Sequence, residues 1–334
     1  MRLTMETRRL PHVKRPPRKL AGVTLVELMV ALAIGSFLII GAVQIASQSR
    51  HAFRVNESIA RVQETAQFAL DTLETDLRMA SHWGLLSRGH DIEGRSLPGN
   101  PDPLGLLPTA GSIAECGAAW VLDLERPVEG SNNGYGLACA AGGVGGPQAN
   151  SDTLTVRRAA REPATALTDG RLYVQSSRTQ GLLFADATVP SGLGPDSQSH
   201  ALIVNSYYVA ADSELIPGVP ALRRKTLTVN SGSPTVEDQE VAPGVENLQV
   251  QFGVDVDQDS TVDRYVNPGD SILTSPNTRV LTARVWLLVR SVDRETGIDD
   301  TRTYTPGDVN LGQPADEFRR LQVSKTILLR NVRS

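Results

Sequence analysis

From Val23 to Val43 the chain runs for 21 residues with only Thr24, Glu27 and Ser36 polar, and no proline falls between Pro17 and Pro98. A helix rising ~1.5 Å per residue would carry that run across a hydrocarbon core about 30 Å thick. The same helix can continue to near Ala80, because Val55, Ile59, Val62, Ala66, Ala69, Leu73, Leu77 and Ala80 recur at spacings of four and three and lay an apolar stripe along a polar surface. Two solvents are therefore written into one element: a transmembrane half over 23–43 and an amphipathic half over 44–80 whose stripe needs a folded domain to cover it. Ahead of the span, Arg2, Arg8, Arg9, Lys14, Arg15, Arg18 and Lys19 face a single acid, Glu6. Such a leader over 1–22 holds the N-terminus on the cytoplasmic side and sends the rest outward. A cleaved secretory peptide shares these marks, but the apolar run exceeds the usual length, and Gln44-Ile45-Ala46-Ser47 is the one arguable cleavage stretch.

Glu27 is the odd residue of the span. A carboxylate deep in hydrocarbon costs roughly 2.5 to 3.5 kcal/mol, and less near the interface. A free amine made by cutting the chain after Gly22 would lie one helical turn upstream, where it can neutralise Glu27 in the same chain or in a packed neighbour.

The segment Gly22-Val23-Thr24-Leu25-Val26-Glu27-Leu28-Met29-Val30-Ala31-Leu32-Ala33-Ile34 resembles the class III signal of type IV prepilins: a basic leader, Gly at the cut, Thr and Leu after it, and Glu five residues into the mature chain. The resemblance implies a membrane prepilin peptidase that cuts between Gly22 and Val23 and methylates the new N-terminus at Val23, and an assembly contact for Glu27 with the amine of an adjacent subunit. Val23 departs from the family, most of whose members carry Phe there. By size, by the Glu-Leu-Met-Val-Ala-Leu-Ala-Ile-Gly segment, by the aspartate loop and by Arg330-Asn331, the chain is most similar to the PilW group of minor pilins. The resemblance then implies a pilin-like α+β fold, a long N-terminal helix packed on an antiparallel β-sheet domain. It also implies a structural role in priming type IV pilus assembly, with a place at the fibre tip, and partners among other minor pilins, the major pilin and the inner-membrane assembly platform. The minor pseudopilin J of type II secretion is the nearest alternative, and a membrane-anchored exported binding protein is an alternative of another class.

Once the leader is removed the chain has a net charge of −10, and an acidic domain without a Lys/Arg stripe argues against nucleic acid as a partner. The basic pairs Arg157-Arg158, Arg223-Arg224-Lys225 and Arg319-Arg320 are expected at solvated strand ends. Asp71, Glu74 and Asp76 are expected as exposed charge opposite the apolar stripe. The 29 Gly and 20 Pro imply many turns, most densely in a loop-rich excursion over 81–151. Its pin is expected to be a disulfide between Cys116 and Cys139, the only cysteines, in a domain sent to an oxidising compartment; two free buried thiols are the alternative. The Gly142–Gly146 run lacks the ending of a phosphate loop and is expected as a flexible turn.

Over 152–334 the pattern turns to period two. Strands are expected at 153–157, 171–175, 201–209, 226–230, 248–254, 281–289 and 320–329, in an antiparallel sheet, since no helical pattern separates them. Leu248, Val250, Phe252 and Val254 should face the core while Gln249 and Gln251 face water, and 281–289, apolar on both faces, should be central. Asp255, Asp257, Asp259, Thr261 and Asp263 fall on the first, third, fifth, seventh and ninth places of a calcium loop, although Ser260 and Val266 stand where Gly and Glu belong. Ca²⁺ and a plain acidic hairpin tip are both open; no other cofactor is indicated. The histidines His12, His51, His82, His90 and His200 form no His-Glu-x-x-His pair, and no Gly-x-Ser-x-Gly elbow is present, so no catalytic residue is expected.

Overall fold

The computed structural model describes residues 22–108, 113 and 116–332; the leader up to residue 21 lies outside the described residues. The chain divides into a unit ending at Arg54 and a second unit over Val55–Ser334. Helix α1 spans Leu25–Met79. It starts two residues later and stops one residue earlier than the sequence pattern suggests.

Among its described residues the first unit is α1 from Leu25 onward, preceded by Gly22, Val23 and Thr24 outside the helix. Its Leu, Ile, Val and Phe side chains are exposed, and the helix is long and apolar enough to cross a membrane. Ser36 turns its hydroxyl back to the Ala33 carbonyl, 2.8 Å away, so this polar side chain is satisfied locally within the span.

In the second unit the helix stripe is buried from Val62 onward, while Val55 and Ile59, at its start, are only half-buried. Val62, Ala66, Ala69, Leu73, Leu77 and Ala80 are joined by Leu70, which the pattern omitted, in one core. Two sheets supply the other walls. The larger has nine strands in the order β1 (Ile92–Glu93), β6 (Gly181–Phe184), β5 (Tyr173–Ser176), β7 (Gln198–Asp212), β4 (Thr153–Ala159) and β2 (Val128–Ser131). Strand β3 (Val144–Pro147) pairs with the far part of β7, as does β8 (Ala221–Asn230), which carries β9 (Ser233–Pro243). The smaller runs β11 (Arg264–Val266), β10 (Val245–Asp255), β12 (Arg279–Arg290), β13 (Arg320–Leu328). All pairings are antiparallel except the short β1 with β6. Strand β12 is interior and apolar on both faces, as expected.

Leu154, Val156, Tyr207, Val209 and Leu222 of the nine-stranded sheet and Val250, Phe252, Ala283, Val285, Leu287 and Ile327 of the four-stranded sheet close on the helix stripe. A second core lies around Trp83, Trp120, helix α2 (Ala118–Leu122) and the Cys116–Cys139 disulfide. The excursion is thus pinned by the expected bond.

Several polar expectations are corrected. Asp76 is 4% exposed, and its carboxylate takes four hydrogen bonds. Arg158 Nε and Nη2 donate to Oδ1 at 3.0 and 2.8 Å, while Asn205 Nδ2 and Tyr207 OH donate to Oδ2 at 2.6 Å each. Burial first, then the Asp76 charge, raises the Tyr207 pKa well above the ordinary phenol value, so this donor keeps its proton. Glu74 is ion-paired with Arg78 and, at 2.5 Å, with Lys325 of β13; only Asp71 of the three acids is exposed.

The basic pairs are not solvated ends either. Arg157 is fully buried, donating to the carbonyls of Trp120 and Arg126 at 2.7 Å and to Glu129. Arg223 meets Asp238, Glu240 and Glu214, and Arg320 meets Glu246 and Asp316. Burying such cations needs carboxylates from other parts of the chain, which linear spacing does not display.

Two smaller corrections concern β-structure. The Gly142–Gly146 run does not end as a free turn: its latter part is an irregular edge strand on β7, with Gly143, Gly145 and Gly146 all at positive φ, a backbone that glycine adopts without steric cost. Gln249, expected in water, is 1% exposed beneath Gly307, and its amide donates to the Asn150 carbonyl and to Asn247.

Three measurements follow from this packing. Asp76→Ala leaves the half-buried Arg158 and the buried Asn205 and Tyr207 without their shared partner and is expected to cost about 3 to 5 kcal/mol in denaturant unfolding, whereas Asp71→Ala is expected to cost less than about 0.5 kcal/mol. Reducing Cys116–Cys139, whose partners are 23 apart in sequence, is expected to cost about 3 kcal/mol, read as a lower unfolding midpoint in dithiothreitol. His82, just past α1, has its pKa held below the ordinary imidazole value by burial, then by the charges of His200 and Arg158. The fold holds it neutral, so its contribution is intact above about pH 6.5 and is lost as pH falls below that value. Unfolding at pH 7.5 and pH 5.0 should show that loss, and His82→Gln should reduce it.

Candidate functional site

The sequence places its signal at the junction of Gly22, Val23 and α1. Gly22, Val23 and Thr24 precede the helix in non-helical backbone and are exposed; Val23 is 71% so, and nothing lies within 4 Å of the Gly22 Cα substituent position. A protease needs its scissile bond accessible and out of regular structure, and the Gly22–Val23 bond meets both requirements.

One residue on, the helix is closed by a reciprocal cap. The Glu27 N–H donates to Thr24 Oγ1 at 3.2 Å, and the Thr24 N–H and hydroxyl both donate to Glu27 Oε2 at 3.0 Å. This is the Thr-x-x-Glu capping box, in which a hydroxyl and a carboxylate each satisfy a backbone donor that the first helical turn leaves open. The carboxylate also sits at the positive end of the helix dipole, which favours an anion. Thr24 is the functional residue that the sequence reading passed over, although the Thr-Leu-Val-Glu spacing carries the signal.

The cap changes what Glu27 has available. Its Oε2 is engaged by Thr24, while Oε1 accepts no hydrogen bond from any described residue. Cutting after Gly22 exposes an amine on Val23, next to the N–H that Glu27 already holds. The free oxygen is an acceptor left open for a further donor.

Of the acidic loop residues, Asp255, Asp257 and Asp263 bring one carboxylate oxygen each within 4.8 Å of one another. Asp259 turns instead to Thr261, accepting from its N–H at 2.7 Å and its hydroxyl at 2.6 Å. The loop's own backbone serves the rest: Gln258 and Ser260 donate to Asp255, Val256 to Asp263, and Asp259 to Asp257. Ser260, on the place where a calcium loop has Gly, is left-handed at φ 68°. Val266, on the place of the bidentate Glu, is buried in β11 and brings no oxygen ligand from its side chain.

The Arg330-Asn331 pair has a structural use. Asn331 Nδ2 donates to the carbonyls of Arg78 and Ala80 at 3.4 and 3.2 Å, closing the C-terminal end of α1, whose last carbonyls have no partner within the helix.

Comparison with known proteins fits this arrangement. Residues 206–331, from within β7 through the Asn331 cap, match the family of the Type IV Pilus-assembly protein W, PilW. Residues 17–43, enclosing the Gly22–Val23 bond, the capping box and the apolar run, match the Prokaryotic N-terminal methylation motif. No curated protein and no solved structure matches the chain. With both matches falling on these features, the chain is similar to PilW-like pilins over its C-terminal strands and carries a prepilin-type N-terminal motif ahead of a helix apolar enough to cross a membrane.

Proposed function

We propose that this pilin is a minor subunit that helps prime type IV pilus assembly at the inner membrane and stands at the fibre tip. The observation that carries the proposal is the unengaged Oε1 of Glu27, the fifth residue past the exposed Gly22–Val23 bond, at the head of an apolar helix. In this reading the span stores the subunit in the bilayer with its β-sheet unit in the periplasm. Prepilin peptidase cuts between Gly22 and Val23 and methylates Val23. The new amine and Glu27 then register one subunit beside the next, among other minor pilins and the major pilin, on the assembly platform. A charged pair formed in hydrocarbon is strongly oriented, because either charge alone is costly there, so the contact sets axial position as well as affinity. The Cys116–Cys139 bond supports an oxidising compartment for the folded unit. The role is structural, and no catalytic residue is assigned. The match to a pilus-assembly family favours a pilus over a type II secretion pseudopilus.

The mass of the N-terminal peptide from the membrane-extracted protein tests the first step: a peptide beginning at Val23, heavier by one methyl group, is expected. Glu27→Ala should leave cleavage intact and cut recovery in sheared fibres at least tenfold. Recovery of the variant at the wild-type level would refute the assembly role of the carboxylate.

A further inference from the structure

The two long sheet edges of the second unit are built differently. Strand β9, the edge beyond β8, carries Pro234, Glu237, Asp238, Glu240 and Pro243, and its pairing with β8 is broken by a bulge at Leu222/Arg223. Charges, prolines and bulges are the devices that keep an edge from pairing with another chain. In strand β13 the Arg320 carbonyl is taken by Arg302, and from Gln322 to Leu328 its open side has none of these. It runs nine residues from Arg320 to Leu328 in unbroken register with β12.

The register fixes which groups are free. The Leu329 N–H donates to Leu281 at 2.9 Å and the Ser291 N–H to Arg319 at 2.7 Å, so odd-numbered residues bond across to β12. Gln322, Ser324, Thr326 and Leu328 therefore turn their N–H and C=O groups away from β12, and no described residue hydrogen-bonds them. All four are exposed, and none is charged. The intervening Leu321 and Val323 are packed against the core, and Lys325 is held inward by Glu74. The result is a straight, uncharged row of main-chain donors and acceptors of the kind that an added strand completes.

We infer that β13 takes an extended, uncharged segment of a different pilin-type subunit as a fifth strand of the four-stranded sheet. The inference rests on the assembly reading for its occupant. The fold argues against an antiparallel pair of two copies. Glu74 meets Lys325, and Ala80 meets Asn331, so β13 runs alongside α1 in the same direction. Antiparallel β13–β13 pairing would set the Val55–Met79 segments of two copies in opposite directions, whereas subunits anchored in one membrane enter it the same way.

Hydrogen exchange on the full chain tests this, comparing native membranes and sheared fibres with the detergent-solubilised monomer. The amides of Gln322, Ser324, Thr326 and Leu328 are expected to exchange at least tenfold more slowly in the assembled state, with Glu237 of β9 unchanged. Ser324→Pro deletes an outward N–H and leaves the β12 ladder intact; it is expected to abolish both the protection and fibre recovery, while Ser324→Ala preserves both. Equal exchange in assembled and monomeric states, or a Ser324→Pro chain that is folded and recovered in fibres like wild type, overturns the inference. A disulfide-linked homodimer of Thr326→Cys assigns the edge to a second copy and overturns the stated occupant. If wild type never enters fibres the assembly reading fails, and exchange in membranes still decides whether β13 is paired.

Discussion

One buried carboxylate holds the second unit together. Asp76 reaches from the last turns of α1 into the nine-stranded sheet and takes donors from β4 and β7 at once, through Arg158, Asn205 and Tyr207. The apolar stripe below it can slide or rotate at modest cost, since one aliphatic contact resembles another. Four directed hydrogen bonds to a single anion cannot. They fix the rotation and axial position of the helix, and with it the place of Glu74 opposite Lys325. A buried ion pair of this kind contributes little net stability over an apolar replacement and is better understood as a device of register.

The same logic runs through the rest of the unit. Arg157, Arg223 and Arg320 are each sunk among carboxylates or carbonyls drawn from separate loops and strands. Aromatic residues make up only 4% of the chain, so large side chains to fill and orient a core are few. Charged hydrogen-bonded clusters take over part of that ordering.

Much of this was legible in the sequence where periodicity and local motifs carry the information. The helix, its stripe, the cysteine pair and the longer strands are set by spacing, and spacing is visible in one dimension. Asp76 was misread because its i,i+3 and i,i+4 neighbours say nothing of Arg158, which lies 82 residues away. The short strands β2 and β6, and the polar β9, were missed because their pairing partners, not their own residues, make them strands. Thr24 is the opposite case. Its capping role is local: the Thr-x-x-Glu spacing alone carries it.

Asn331 closes α1 from 251 residues further along the chain. During synthesis the last turn of α1 is made 251 residues ahead of the side chain that closes it. Every strand of both sheets lies between the two in the sequence, so these carbonyls stay without that donor until both sheets have been synthesised. The contact completes the fold and cannot begin it.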